Sequence, residues 1–124
     1  GALPYRRIPF LLKACDAFVA TSDLTNMSMP PCEAMLCGLP VAAFDVAGTS
    51  EAVRDGETGL LIPPGDTEAL SRALERLTTD TELRRRLGAG AARFAADHFM
   101  SWDERIGAEL EILEELAGGG RRSV

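Results

Sequence analysis

Lysine occurs once in these 124 residues, at Lys13, and histidine once, at His98. With no Gly-Lys-Ser/Thr and no G-x-G-x-x-G after a strand-like run, neither a nucleotide P-loop nor a dinucleotide fingerprint is available. A G-x-S-x-G elbow is also missing, which removes the hydrolase turn that exposes a nucleophilic serine. A lone histidine and the lack of any Asp-x-Asp pair leave no ligand set for a metal, so none is expected. His98, in "DHF", reads as the packed end of a helix.

The three cysteines, Cys15, Cys32 and Cys37, are odd in number and lack C-x-x-C spacing. Their apolar neighbours mark them as reduced core residues of a cytosolic chain. The net charge of −6 argues against nucleic acid or an anionic membrane as the main partner. The one basic run, "LRRRL" at 83–87, lies in a helical pattern and reads as a solvated face. No apolar stretch reaches the roughly 18 residues of a membrane span, and the N-terminus lacks the order of a signal peptide.

What is present alternates. "IPFLLKAC" (8–15) suits a short helix with Pro9 in its first turn. "AFVATS" (17–22), "LPVAAFDV" (39–46) and "TGLLIPPGD" (58–66) read as three buried strands. Between them, "PPCEAMLCG" (30–38) has proline at its start and glycine at its end, the asymmetry of a helix, and "AGTSEAVRDG" suits a shorter one. After Asp66, a plausible N-cap, Ala69, Leu70, Ala73, Leu74 and Leu77 form one stripe. Thr79 with Glu82 and Ser101 with Glu104 fit capping boxes for two further helices. The first runs through Leu83, Leu87, Ala91 and Phe94, the second through Trp102, Ile106, Leu110 and Leu113. "GGGRRSV" (118–124) reads as a flexible tail.

Unbroken apolar strands alternating with helices imply α/β architecture, a parallel sheet covered on both faces. About three strands for at least five helical segments is a short sheet, and the pattern suits the second half of a doubly wound domain, incomplete as it stands. In such sheets ligands bind beyond the carboxyl ends of the strands. Residues 22–33 join a strand end to a helix start and therefore lie in that crevice. N–H groups of a first helical turn attract anions. Glu33, in or next to that turn, either stabilises the helix start or accepts the two hydroxyls of a ribose. Thr49 reads as an N-cap and Glu51 as a first-turn acid, with a ligand role for Glu51 as the alternative.

"CDAFVATS", "CEAMLCGLPVAAFDVAGTSEAVRDGETGLLIPPGDTEALSRALERL" and "FMSWDERI" together resemble the C-terminal, donor-binding part of the family-4 (group 1) GT-B glycosyltransferases, in order and spacing over about residues 8–117. The resemblance implies a Rossmann-like domain over 1–117 that ends in a long helix from about 102. It implies retaining transfer of a sugar from a nucleotide-sugar donor, which is a substrate rather than a cofactor, with no catalytic metal. It also implies a missing N-terminal GT-B domain as partner and a cytoplasmic location, peripheral to the inner face of the membrane through that domain. Glu33 matches the second of the family's two glutamates, the one that binds the donor ribose. The first is replaced by Thr25, and the Gly-Phe-Gly that follows it by Asn26, Met27 and Ser28. Thr25 can hydrogen-bond a sugar hydroxyl but brings no negative charge. Asn26 tolerates left-handed backbone angles, and Ser28 offers an N–H and a hydroxyl to phosphate. Met27 and Met29 complete the loop, and Glu51 matches the glutamate beyond the next strand. An altered donor site is expected. Two alternatives keep the fold: a degenerate or truncated module that binds a protein partner, and a nucleotide-sugar epimerase.

Overall fold

Three short apolar runs, Phe18–Ala20 (β1), Val41–Phe44 (β2) and Gly59–Ile62 (β3), pair into one parallel sheet in the order β1-β2-β3. The computed structural model describes residues 3–22 and 29–119. Phe18 pairs with Val41 and Val41 with Gly59, so each strand lies beside the next in the chain. A single turn of 3-10 helix, Tyr5–Arg7, leads into α1 (Ile8–Lys13). Helices α2 (Met29–Leu36), α3 (Thr49–Ala52), α4 (Thr67–Thr79), α5 (Thr81–His98) and α6 (Trp102–Gly119) complete the described chain.

Alternation along β2 divides the core. Val41 and Ala43 join Leu12, Ala34, Met35 and Val53 on one face, while Ala42 and Phe44 join Leu60, Ile62, Leu70 and Leu77 on the other. Helix α5 contributes to both clusters: Leu83 and Leu87 to the second, Ala91, Phe94 and Ala95 to the first. Its middle crosses the amino ends of β2 and β3, and the crossing is close. A Cβ on Gly88 would overlap the Gly38 carbonyl oxygen, and one on Gly90 would overlap that of Glu57. The expected end of α2 is also observed. Gly38, at φ 81°, lets its N–H reach Met35 O at 2.9 Å and Leu39 N reach Ala34 O at 3.0 Å, a Schellman closure.

Several local expectations change. Asp80, not Thr79, caps α5. Its carboxylate accepts from Leu83 N at 2.9 Å, while Thr79 ends α4 and donates its hydroxyl to Glu75 O. Aspartate at 80 already meets the need for a cap one residue later, so Thr79 stays helical. Asp66 caps α4 as expected, accepting from Ala69 N at 2.8 Å. Ser101 and Glu104 form the expected reciprocal box, Ser101 N donating to Glu104 Oε2 at 2.7 Å and Glu104 N to Ser101 Oγ at 3.3 Å. Those hydrogen bonds hold the Glu104 carboxyl below its usual range.

The arginine run is more than a solvated face. Arg84 donates to Leu77 O at 2.8 Å and Arg86 to Gly56 O at 2.8 Å, tying carbonyls of neighbouring segments, while Arg85 pairs with Glu82. Cys32 is buried and Cys37 half-buried, but Cys15 is exposed, its thiol donating to Leu11 O at 3.3 Å. It follows the last turn of α1, beyond the stripe that Leu12 turns to the core. His98 ends α5 as expected, stacked 4.1 Å from Phe94, with its Nδ1 2.9 Å from Phe94 O. Helix α6 reaches Gly119, two residues past the expected end of the domain at 117, and 120–124 lie outside the described residues. Ile106, Leu110, Ile112 and Leu113 on α6 are each half or more exposed, and the side chain of Trp102 lies outside the described set. Among the described residues no helix is long and apolar enough to cross a membrane.

Candidate functional site

Because the strands are parallel, the loops after Ala20, Phe44 and Ile62 share one edge of the sheet, and α2, α3 and α4 start there. Helix α5 lies across the opposite edge, so among the described residues the carboxyl edge is the one it leaves uncovered. The strand-to-helix crevice expected from sequence therefore lies where α/β folds place ligands.

Of the expected site residues, Thr25, Asn26, Met27 and Ser28 lie outside the described residues. Met29 is the first residue of α2 and well exposed. Pro30 and Pro31 follow it inside the helix, so of the first three residues only Met29 carries an N–H. The first turn thus offers an anion fewer donors than a helix start usually does. Glu33 is the fifth residue of α2 and half-buried. The dipole effect fades beyond the first turn, which leaves little for Glu33 to gain as a helix-start acid.

A residue absent from the sequence reading faces Glu33. The Tyr5 phenol, in the turn before α1, is raised above its usual range chiefly by the neighbouring Glu33 carboxylate. Both line a cavity of about 340 Å³ between α1 and α2, walled by Ile8, Pro9, Leu12 and Leu36, with Lys13 also on its lining. Tyr5 and Glu33 are far apart in the chain, and no motif links them; only the docking of α1 beside α2 does. The neighbouring Cys32 thiol is pushed up, chiefly by burial and further by the Glu33 charge, so it stays protonated and inert at neutral pH.

Glu51 is exposed in the first turn of α3, as expected, with its N–H on Gly48 O at 3.1 Å. The capping assignment there changes. Gly48 occupies the N-cap, and Thr49, already helical, turns its hydroxyl back to Val46 O at 2.7 Å. Ala47, just before, has φ 44°, a left-handed conformation that an alanine adopts only under constraint. Asp45, exposed at the end of β2, adds a second carboxylate to this loop. Among the described residues no three His, Cys, Asp or Glu side chains gather as a metal site.

Comparison with known proteins agrees with this arrangement. Residues 1–94 match the family described as "Glycosyl transferases group 1". The chain is 37% identical, over 110 residues, to a D-inositol 3-phosphate glycosyltransferase of Streptomyces bingchenggensis, covering 89% of this chain and 24% of that protein. Its fold superposes on sucrose-phosphate synthase of Thermosynechococcus elongatus with a TM-score of 0.89 and 28% identity, over 96% of this chain and 30% of that one. It also matches HepE of Anabaena in complex with UDP-glucose, with a TM-score of 0.75 and 30% identity, over 90% of this chain and 30% of that one. The chain spans about a quarter of the length of the curated relatives it matches. Three parallel strands with flanking helices correspond to the Rossmann-like C-terminal half expected from sequence.

Proposed function

The chain belongs to the group 1 glycosyl transferases, and from that premise we propose that it forms part of the site that holds a nucleotide-sugar donor for retaining transfer. The observation that carries this reading is the position of Glu33: a half-buried carboxylate, past the first turn where the helix dipole acts most, on the helix that starts at the carboxyl edge of the sheet. A carboxylate accepts two hydrogen bonds at once, which suits the vicinal hydroxyls of a ribose. The likeness to a protein solved with UDP-glucose supports a nucleoside diphosphate sugar as the ligand class. Met29 and Glu51 flank the same edge, and residues 25–28 complete the proposed donor loop.

In this reading the diphosphate meets few helix N–H groups at α2, because Pro30 and Pro31 bring none. Metal-free chemistry then requires basic groups from the remainder of a full-length protein. The acceptor, the N-terminal partner domain and any membrane association belong to that remainder, as does turnover. The test is a set of amide NMR spectra of the chain with UDP, GDP and ADP added in turn. Shifts clustered at Tyr5, 29–35 and 45–52 are expected. Spectra that ignore all three nucleotides overturn the reading.

A second reading rests on α6. Its exposed Ile106, Leu110, Ile112 and Leu113 favour a module that docks on another protein, with or without donor chemistry. A full-length protein whose transferase activity survives Glu33→Gln, but falls when Leu110 and Leu113 become serine, would favour it.

A further inference from the structure

Away from the proposed donor edge, where α5 passes the amino end of β3, lies a second cavity that the donor reading does not use. Arg54, from the segment between α3 and β3, and Arg86 and Arg93, from α5, line its volume of about 500 Å³ together with Glu57, Asp97 and His98. We infer that this cavity is a second binding site, one that takes the dianion of a phosphate group, either free or at the head of a lipid.

Three guanidinium groups meet there in a chain whose net charge is −6. What orients them is mostly uncharged. Arg86 donates to Gly56 O at 2.8 Å, and the Arg54 guanidinium lies over the Phe94 ring, 4.6 Å from its centroid. Neither contact neutralises the arginine. Among the described residues the Arg93 guanidinium has no hydrogen bond or ion pair. The two carboxylates on the lining offset little. Glu57 stands 3.9 Å from Arg54 with both side chains more than half exposed, and Asp97 makes no ion pair among the described residues. Arg86, Gly90 and Arg93, at i, i+4 and i+7, share one face of α5. Gly90 leaves that face bare between the two arginines, where the helix meets the Glu57 carbonyl. Arg54 approaches from the other wall. A guanidinium grips phosphate through two parallel N–H donors. A planar carboxylate turns both oxygens to one side, whereas a terminal phosphate turns three in different directions and can meet arginines on separate walls.

The test follows amide NMR spectra of the 124-residue protein as inorganic phosphate replaces chloride at constant ionic strength. Saturable shifts are expected at 54–58 and 86–98, away from the proposed donor edge. Arg93→Gln, which has no contact of its own to lose, should weaken phosphate about fivefold with thermal stability unchanged. Arg86→Gln also gives up the tie to Gly56 O, so Arg93 carries the decision. Arg72→Gln removes the same charge from α4, outside the cavity lining, and should leave binding unchanged. Vesicles of phosphatidylcholine, with and without phosphatidic acid, separate the two sources. Sedimentation with the acidic vesicles alone, reduced by Arg93→Gln, assigns the phosphate to a lipid headgroup. Phosphate binding without sedimentation assigns it to a free ligand. Equal weakening by Arg72→Gln and Arg93→Gln, or no response to either probe, overturns the site. Neither result bears on Glu33 or on the donor reading.

Discussion

Gly90, on α5, lies so close to the carbonyl of Glu57 that a side-chain carbon there would overlap the oxygen. The neighbour is backbone, just ahead of β3, and cannot rotate aside as a side chain would. Gly90→Ala should therefore destabilise the protein despite the better helix propensity of alanine, which is worth about 1 kcal/mol. Overpacking against a fixed neighbour costs about 1–3 kcal/mol. A lowered midpoint in urea denaturation is the expected result.

Asp80 separates α4 from α5 without any intervening loop. Its N–H completes α4 on Arg76 O at 2.9 Å while its carboxylate caps α5. Asp80→Ala should cost about 1 kcal/mol, the usual value of a lost N-cap. Thr79→Ala should cost less, because that hydroxyl only returns to Glu75 O within its own helix. Paired denaturation curves of the two variants decide which residue is the cap.

The Ser101–Glu104 box makes the start of α6 sensitive to acid. Glu104 titrates below its usual value of 4.5, chiefly through the hydrogen bond from the Ser101 N–H. A lowered folded-state pKa means that the stabilisation is complete above the ordinary value and fades as pH falls through the lowered one. Both residues are exposed, so the effect is local. Helical circular dichroism followed from pH 6 to pH 2 should show a loss that Glu104→Gln moves or removes.

Ala47 occupies the left-handed region beside the proposed donor site. Ala47→Gly should relieve strain of about 1–2 kcal/mol while adding unfolded-state freedom, for a net gain of about 0.5–1 kcal/mol. A raised melting temperature is expected. A fall in stability would show that the alanine side chain is needed where it stands.

Much of this fold is legible in the sequence because its signals are local. Pro9, Asp66, Gly38 and the Ser101–Glu104 pair act within a turn of themselves, and the three apolar runs are short and bounded by turn residues. Where two local signals compete the reading misses by one residue, as with Thr79 against Asp80 and Thr49 against Gly48. Cys15 differs because exposure depends on which way the last turn of α1 faces, not on apolar neighbours in the chain. Within the candidate site, Glu33 and Glu51 could be singled out by motif and by their place on helices. Tyr5 could not, since only the docking of α1 beside α2 brings it to the cavity that Glu33 also lines, and no spacing encodes that.

The passage of α5 under the amino ends of β2 and β3 also governs how the molecule comes apart. One half of that helix is seated in each core cluster, with Leu83 and Leu87 on one side and Ala91, Phe94 and Ala95 on the other. Neither layer can open without pulling its share of α5 from the opposite layer. Two modest clusters are thereby bound into a single cooperative unit, and subglobal opening is left to the segments that α5 does not hold.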